Sequence, residues 1–160
     1  MFLKESDFEK VVLLAPLISI DLCILKKNKL LIGQRKNSPA KNFYFVPGGR
    51  VRKNEHIDQA INRILLKELG YEFGKKKNVS DNFLGFFEHF YEDNYQDNKN
   101  FSTHYVVLAF ILDFNYIIDA FDISEEEDQH SNYIWYDLNL NNKSKLSIHE
   151  YTQNYINRLL

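Results

Sequence analysis

GGRVRKNEHIDQAINRILLKELG, residues 48–70, joins two kinds of chain. It opens as a polar loop with paired glycines and changes period from about Asn54. Ile57, Ala60, Ile61, Ile64, Leu65 and Leu69 then recur at i, i+3, i+4 and i+7, the spacing of an amphipathic helix. Asn54 is the expected N-cap and Gly70 the expected stop. A glycine-rich loop feeding a helix is a common way to hold phosphates, because the backbone comes close and the helix dipole favours an anion. Carboxylates on such a helix would bring Mg²⁺, which takes a few hard oxygens and leaves its other positions to water and phosphate. Positions 64, 67 and 68 are neighbours on one helix face, where three glutamates would gather metal. The chain has Ile64, Lys67 and Glu68 there, so one carboxylate remains. The bland alternative is a core helix that happens to carry Arg63 and Glu68 on its surface.

The 160 residues suit one domain over 1–160, and 44% hydrophobic with 26% charged residues is ordinary for a folded protein. A net charge of -2 supplies no field for recruiting nucleic acid, so a polyanionic ligand must be held by local arginines or a metal. The lone Cys23 excludes an internal disulfide and reads as a buried, inert thiol. The first residues lack a secretory pattern, and the apolar stretch 11–25 is broken by Pro16 and Asp21. A cytoplasmic protein without membrane or nucleic-acid partners is expected.

Outward from the opening stretch, Ser6 and Glu9 have the form of a capping box for a short helix ended by Pro16. LISIDLCILK and KLLIGQR predict a hairpin turning at Lys27-Asn28, with Ile18, Ile20, Leu22 and Ile24 on one face and Ser19, Asp21 and Cys23 on the other. FYFVPGG, NFLGFFEHFY, THYVVLAFIL and a short IWY are further strands. DISEEEDQHSNY reads as an acidic loop, and Ile148, Tyr151, Tyr155, Ile156 and Leu159 as the apolar stripe of a last helix. The order predicts an α+β or mixed α/β domain with helices on both sides of a sheet.

Gly49, Glu55, Arg63, Glu68 and Gly70 stand at the spacing of the box of the Nudix hydrolases, which this chain resembles. MFLKESDF, FVPGGRV, HFYEDN, THYVVL and EDQH extend the likeness over nearly the whole chain. They are similar to one branch, the GDP-mannose mannosyl hydrolases, which lacks the same box glutamates. The resemblance implies a Nudix α/β/α sandwich, a homodimer, and Mg²⁺-dependent release of a hexose from a GDP-sugar. It implies one Mg²⁺ per subunit (Mn²⁺ as a substitute) on the Gly49 carbonyl, Glu68 and Gln129. Arg35, Arg50 and Tyr105 would lie at the diphosphate. Arg63 fits either a phosphate contact or a structural ion pair. His130 would be the general base, since histidine titrates near neutrality.

Asp21, His89 and Tyr91 align with positions near the sugar, although a satisfied buried Asp–His pair is an equal reading of the first two. Phe2, Leu3, Phe8 and Lys36 align with the guanine end, where aromatics also serve to anchor a terminus. Glu55 is expected to support its neighbours, and His56 and His149 to be surface residues. The reaction expected is attack by water at the anomeric carbon with inversion, the course of a single displacement assisted by a base. Two alternatives stay open: attack at phosphorus, giving GMP and a sugar phosphate, and a binding module without catalysis.

Overall fold

The computed structural model describes residues 3–71, 82–115, 130–140 and 145–160. Helix α1 (Glu5–Leu14) leads into β1 (Leu17–Lys26) and β2 (Lys29–Arg35). Short strands β3 (Tyr44–Phe45) and β4 (Gly48–Arg50) precede α2 (Ile57–Leu69). The long strands β5 (Phe83–Tyr91) and β6 (Thr103–Asp113), then β7 (His130–Asp137), lead to α3 (Glu150–Leu159). The predicted hairpin forms as read: Lys27 (φ 47°) and Asn28 (φ 59°) both take the left-handed conformation that a two-residue turn between twisted strands needs.

The sheet is mixed. β1 runs parallel to β6, from Leu17↔Tyr105 to Leu25↔Asp113, and β4 lies antiparallel to β1 with Asp21 beside Gly48. β5 flanks β6 with His89 opposite Tyr105, and β7 pairs with β2. Ile20, Leu22 and Ile24 pack against Ile61, Ile64, Leu65 and Leu69 of α2, while Cys23 packs among Leu30, Ile32, Tyr155 and Ile156 on the α3 side. Helices therefore cover both faces, the mixed α/β layering expected. Each fully buried Leu or Ile in these layers contributes roughly 1.5–3 kcal/mol. Among the described residues no helix is long and apolar enough to cross a membrane.

Several local expectations change. Helix α1 begins at Glu5 behind Lys4, so Ser6 and Glu9 make no capping box. Asn54 is no N-cap: it sits in a left-handed turn (φ 62°), and α2 starts after His56, whose N–H donates to Gln59 Oε1 at 3.0 Å. Gly70 does end α2, in the left-handed conformation (φ 61°). Ile18 is 53% exposed, although Leu17 beside it is buried. IWY belongs to an eight-residue strand. His149 is half-buried rather than a plain surface residue: it caps α3, its Nδ1 accepting from the Tyr151 N–H, and packs on Phe45. Most of the acidic loop lies outside the described residues.

Candidate active site

A cleft of about 380 Å³ opens where β4, the start of β1 and the last turns of α2 meet. Gly48, Gly49 and Arg50 form one wall, with Arg63, Ile64, Lys67 and Glu68 of α2 beside them. Asp21, His89, Tyr91 and Tyr105 line the far side, and Arg35 and Arg52 also face in. Five cationic side chains thus meet two carboxylates, Asp21 and Glu68, among the lining residues. Burial first, and then repulsion from Arg52 and Arg63, pulls the Arg50 guanidinium below its ordinary pKa, and a bound polyanion would offset both.

Glu68 is the box carboxylate that survives, and it is 2% exposed. His130 Nδ1 lies 2.8 Å from its Oε2, and the Tyr133 hydroxyl donates to the same oxygen at 2.8 Å. How His130 reaches it follows from the β2–β7 register. Ile32 pairs with Ile134, but Gln34 pairs with Ser131, so Asn132 and Tyr133 together oppose Gly33. This is a β-bulge, with Asn132 at φ 50°. Strand side chains alternate, and Ile134 and Tyr136 face the α3 layer while Tyr133 and Trp135 face α2. Without the bulge His130 would share the side of Ile134; the extra residue turns it to α2. Gly33 makes the crossing possible, since a Cβ there would meet Tyr133 Cε1 at 2.6 Å and His130 Cβ at 2.8 Å.

His130 is 1% exposed and is not among the residues lining the cleft; its ring stands directly behind Glu68. Its Nε2 is buried without a hydrogen-bond partner among the described residues. Arg63 is committed to a structural pair. Its Nε and Nη2 donate to the two oxygens of Glu55 at 2.6 and 2.8 Å, and Nη2 donates to the Arg50 carbonyl at 2.9 Å. Glu55 also accepts from the Arg52 N–H, and these bonds hold its carboxyl below the usual range. The pair ties the loop before α2 to β4 and so fixes the Gly49–Arg50 backbone. Arg35 is steadied by donating to the Pro39 carbonyl at 2.8 Å, and Arg50 by lying over the Phe8 ring at 4.0 Å.

On the far side of the cleft, Asp21 and His89 both bond to Tyr155 of α3, at 2.7 and 3.1 Å. Burial pushes the Asp21 carboxyl from 3.8 up to about 6, against the Tyr155 hydrogen bond and Arg35. A raised pKa means the folded protein holds this proton more tightly than the unfolded chain does. The stability it confers is complete below the unfolded value and is lost as pH rises through the folded one. Asp21→Asn is therefore expected to gain on the wild type by about 2–3 kcal/mol between about pH 4 and pH 7. Urea unfolding of both proteins at the two pH values measures it, and a pH-independent difference would contradict it.

Of the remaining sequence candidates, Phe8 lines the cleft, whereas Leu3 and Lys36 are exposed and do not. Phe2 and Gln129 lie outside the described residues. The sequence missed Arg52, Lys67, Tyr133 and Tyr155 as site neighbours. Among the described residues no group of three or more His, Cys, Asp or Glu is placed to hold a metal. One carboxylate aimed by two hydrogen bonds, near the Gly49 backbone, suits a cation that needs few protein ligands and shares phosphate oxygens, as Mg²⁺ does.

Fold and cleft together define a domain with a cation-lined cleft beside a helix-borne carboxylate. The NUDIX domain family model matches residues 16–155, and the chain belongs to the Nudix hydrolase family. It is similar to the low-salt glycan biosynthesis protein Agl8 of Haloferax volcanii, at 34% identity over 108 residues covering 68% of this chain and 65% of that protein. It is also similar to an ADP-ribose pyrophosphatase of Methanocaldococcus jannaschii, at 38% identity over 69 residues, 42% of this chain and 41% of the relative. The chain thus spans less than two thirds of the length of either. A MutT Nudix hydrolase from Burkholderia pseudomallei superposes with a TM-score of 0.68 at 18% identity, covering 91% of this chain and 98% of that one. A bifunctional NMN adenylyltransferase/ADP ribose pyrophosphatase from Francisella tularensis, complexed with AMP and a Mn ion, gives 0.67 at 20% over 97% of this chain and 44% of that one. At those identities the two structures speak for the fold alone.

Proposed function

We propose that the protein hydrolyses a GDP-hexose, GDP-mannose foremost, to GDP and the free sugar. The observation that carries this reading is the cleft's charge: five cations, of which Arg63 is paired with Glu55, line a cleft with two carboxylates, Asp21 and Glu68, and Ile64 and Lys67 stand where a metal cluster would need acids. Such a site is equipped to stabilise an intact diphosphate as leaving group. It is poorly equipped to gather the metals that attack at phosphorus employs. Arg35 and Arg50 hold the diphosphate oxygens, and Arg63 with Glu55 keeps the Arg50 backbone in place. Glu68 and the Gly49 carbonyl, joined by Gln129, would hold Mg²⁺, which supplies Lewis-acid stabilisation to the departing diphosphate. Asp21 and His89 orient the sugar. Water attacks the anomeric carbon and the carbon–oxygen bond to the diphosphate breaks; the base assigned to the water's proton is His130, whose Nε2 stands buried behind Glu68 and has to be reached by that water when substrate binds. The name of the Haloferax relative, a glycan biosynthesis protein, supports a sugar-bearing substrate.

The similarity to an ADP-ribose pyrophosphatase favours a second reading, attack at phosphorus of a nucleotide sugar. Turnover of GDP-mannose with Mg²⁺ in oxygen-18 water separates the two. Label in mannose is the expected result. Label in a phosphate would establish the second reading, and no turnover would sink both for this substrate.

A further inference from the structure

We propose that Tyr155, a core residue of α3, is a positioning residue that holds Asp21 and His89 as a pair of hydrogen-bond acceptors for sugar hydroxyls. This rests on the GDP-hexose reading, since it assigns what the far side of that cleft recognises. Asp21 is on β1 and His89 on β5, two strands apart with β6 between them, and 68 residues apart in the chain. The register of β1, β6 and β5 fixes their backbones, but not how the two side chains are turned toward each other. Tyr155 does, through a single hydroxyl that reaches Asp21 Oδ2 at 2.7 Å and His89 Nε2 at 3.1 Å.

A phenol has one proton, and an ionised carboxylate can only accept. Above about pH 6, where Asp21 is ionised, the short bond to Asp21 therefore takes the Tyr155 proton. The tyrosine oxygen is left to accept, so His89 must carry its hydrogen on Nε2. The chain of donation runs His89 Nε2–H to Tyr155 O–H to Asp21 Oδ2, and it leaves His89 Nδ1 and Asp21 Oδ1 as bare acceptors. Burial, with His149 and Arg35 nearby, lowers the His89 pKa to about 3, so the ring is neutral and its tautomer is set by this bond.

Asp21 Oδ1 lies against β4: a Cβ on Gly48 would stand 2.5 Å from it, so glycine keeps that part of the cleft wall open. Both acceptors belong to residues that line the cleft. Neighbours on every side hold the arrangement. Tyr151, one turn before Tyr155, stacks flat on His89 with centroids 4.0 Å apart and an interplanar angle of 4°. The Tyr151 hydroxyl brackets the β5 backbone at Phe90, accepting from its N–H at 2.8 Å and donating to its carbonyl at 2.9 Å. Phe87 meets the Tyr155 ring edge-on at 4.8 Å. Two acceptors in a fixed relation match vicinal hydroxyls of a hexose, which must donate, and give no purchase to a group that only accepts.

Two measurements test the proposal. In the wild type with ¹⁵N-labelled histidine, the His89 ring nitrogens should show hydrogen on Nε2 and a bare Nδ1, and Tyr155→Phe should shift that ring toward the other tautomer. Hydrogen on Nδ1 in the wild type would overturn the proposal whatever the enzyme's substrate. In kinetics, Tyr155→Phe should lower kcat/KM for GDP-mannose about tenfold, the effect of one hydrogen bond, while the Kd for GDP without sugar stays within about twofold. A merely structural role would weaken GDP to the same degree, and that result would also overturn it. If the wild type does not turn over GDP-mannose, the GDP-mannose reading fails and the tautomer measurement still decides the role of Tyr155.

Discussion

His130→Gln is expected to slow GDP-mannose hydrolysis by about 10²–10⁴-fold, the range for a lost general base, with the Kd for GDP little changed. The geometry makes this substitution informative in a second way. His130 Nδ1 is bound to Glu68, so the ring also aims the carboxylate assigned to Mg²⁺. A residue that acts only by aiming a ligand costs about 10–100-fold, mainly in metal affinity, and saturating Mg²⁺ should restore the rate. A lost base is not restored by metal. Measuring kcat against Mg²⁺ concentration for wild type and variant separates the two roles, and full recovery at high Mg²⁺ would remove His130 from the proton transfer.

Glu68→Ala is expected to abolish measurable turnover and to destabilise the fold. The carboxylate sits 2% exposed with two hydrogen-bonded neighbours on one oxygen. Deleting it strands the His130 ring nitrogen and the Tyr133 hydroxyl, each at a cost of about 1–3 kcal/mol. Glu68→Gln keeps one oxygen to accept from both neighbours and replaces the other with an uncharged NH2, so it should unfold close to the wild type in urea yet still fail in catalysis. Equal stability of the alanine and wild-type proteins would show that the Glu68–His130–Tyr133 cluster contributes nothing to folding. Substantial activity in the glutamine variant would show that the charge of Glu68 is not what the reaction uses.

Parts of this architecture could be read directly from the chain because they rest on local physics. The Lys27-Asn28 turn and the α2 stripe from Ile57 to Leu69 are determined by residues within one turn of each other. The loop glycines and Glu68 were visible for the same reason, since spacing on a helix translates directly into a face, whereas Arg35 and Arg50, on β2 and β4, came only from the family resemblance. What could not be read depends on partners far away in sequence. Tyr155 has the spacing of a core residue, and nothing near it announces Asp21, 134 positions away. Arg63 could be narrowed to an ion pair or a phosphate contact but not further, because Glu55 reaches it only once the 51–56 loop folds back. His130 reads as loop because the histidine follows an acidic run, whereas pairing with Arg35 makes it the first residue of a strand.

The bulge opposite Gly33 gives the site a counting rule. Upstream of His130 the chain can grow or shrink without changing which side of the sheet that histidine faces, because the ladder with β2 resets the phase at the Arg35 pair. Between His130 and Tyr133 there is no such freedom. One residue more or fewer there would exchange inside for outside, as a one-base slip changes a reading frame, and the histidine would point at the α3 layer instead of Glu68. For any homologous chain, the number of residues separating this histidine from the tyrosine therefore says more about whether the site is assembled than the identity of the residues between them.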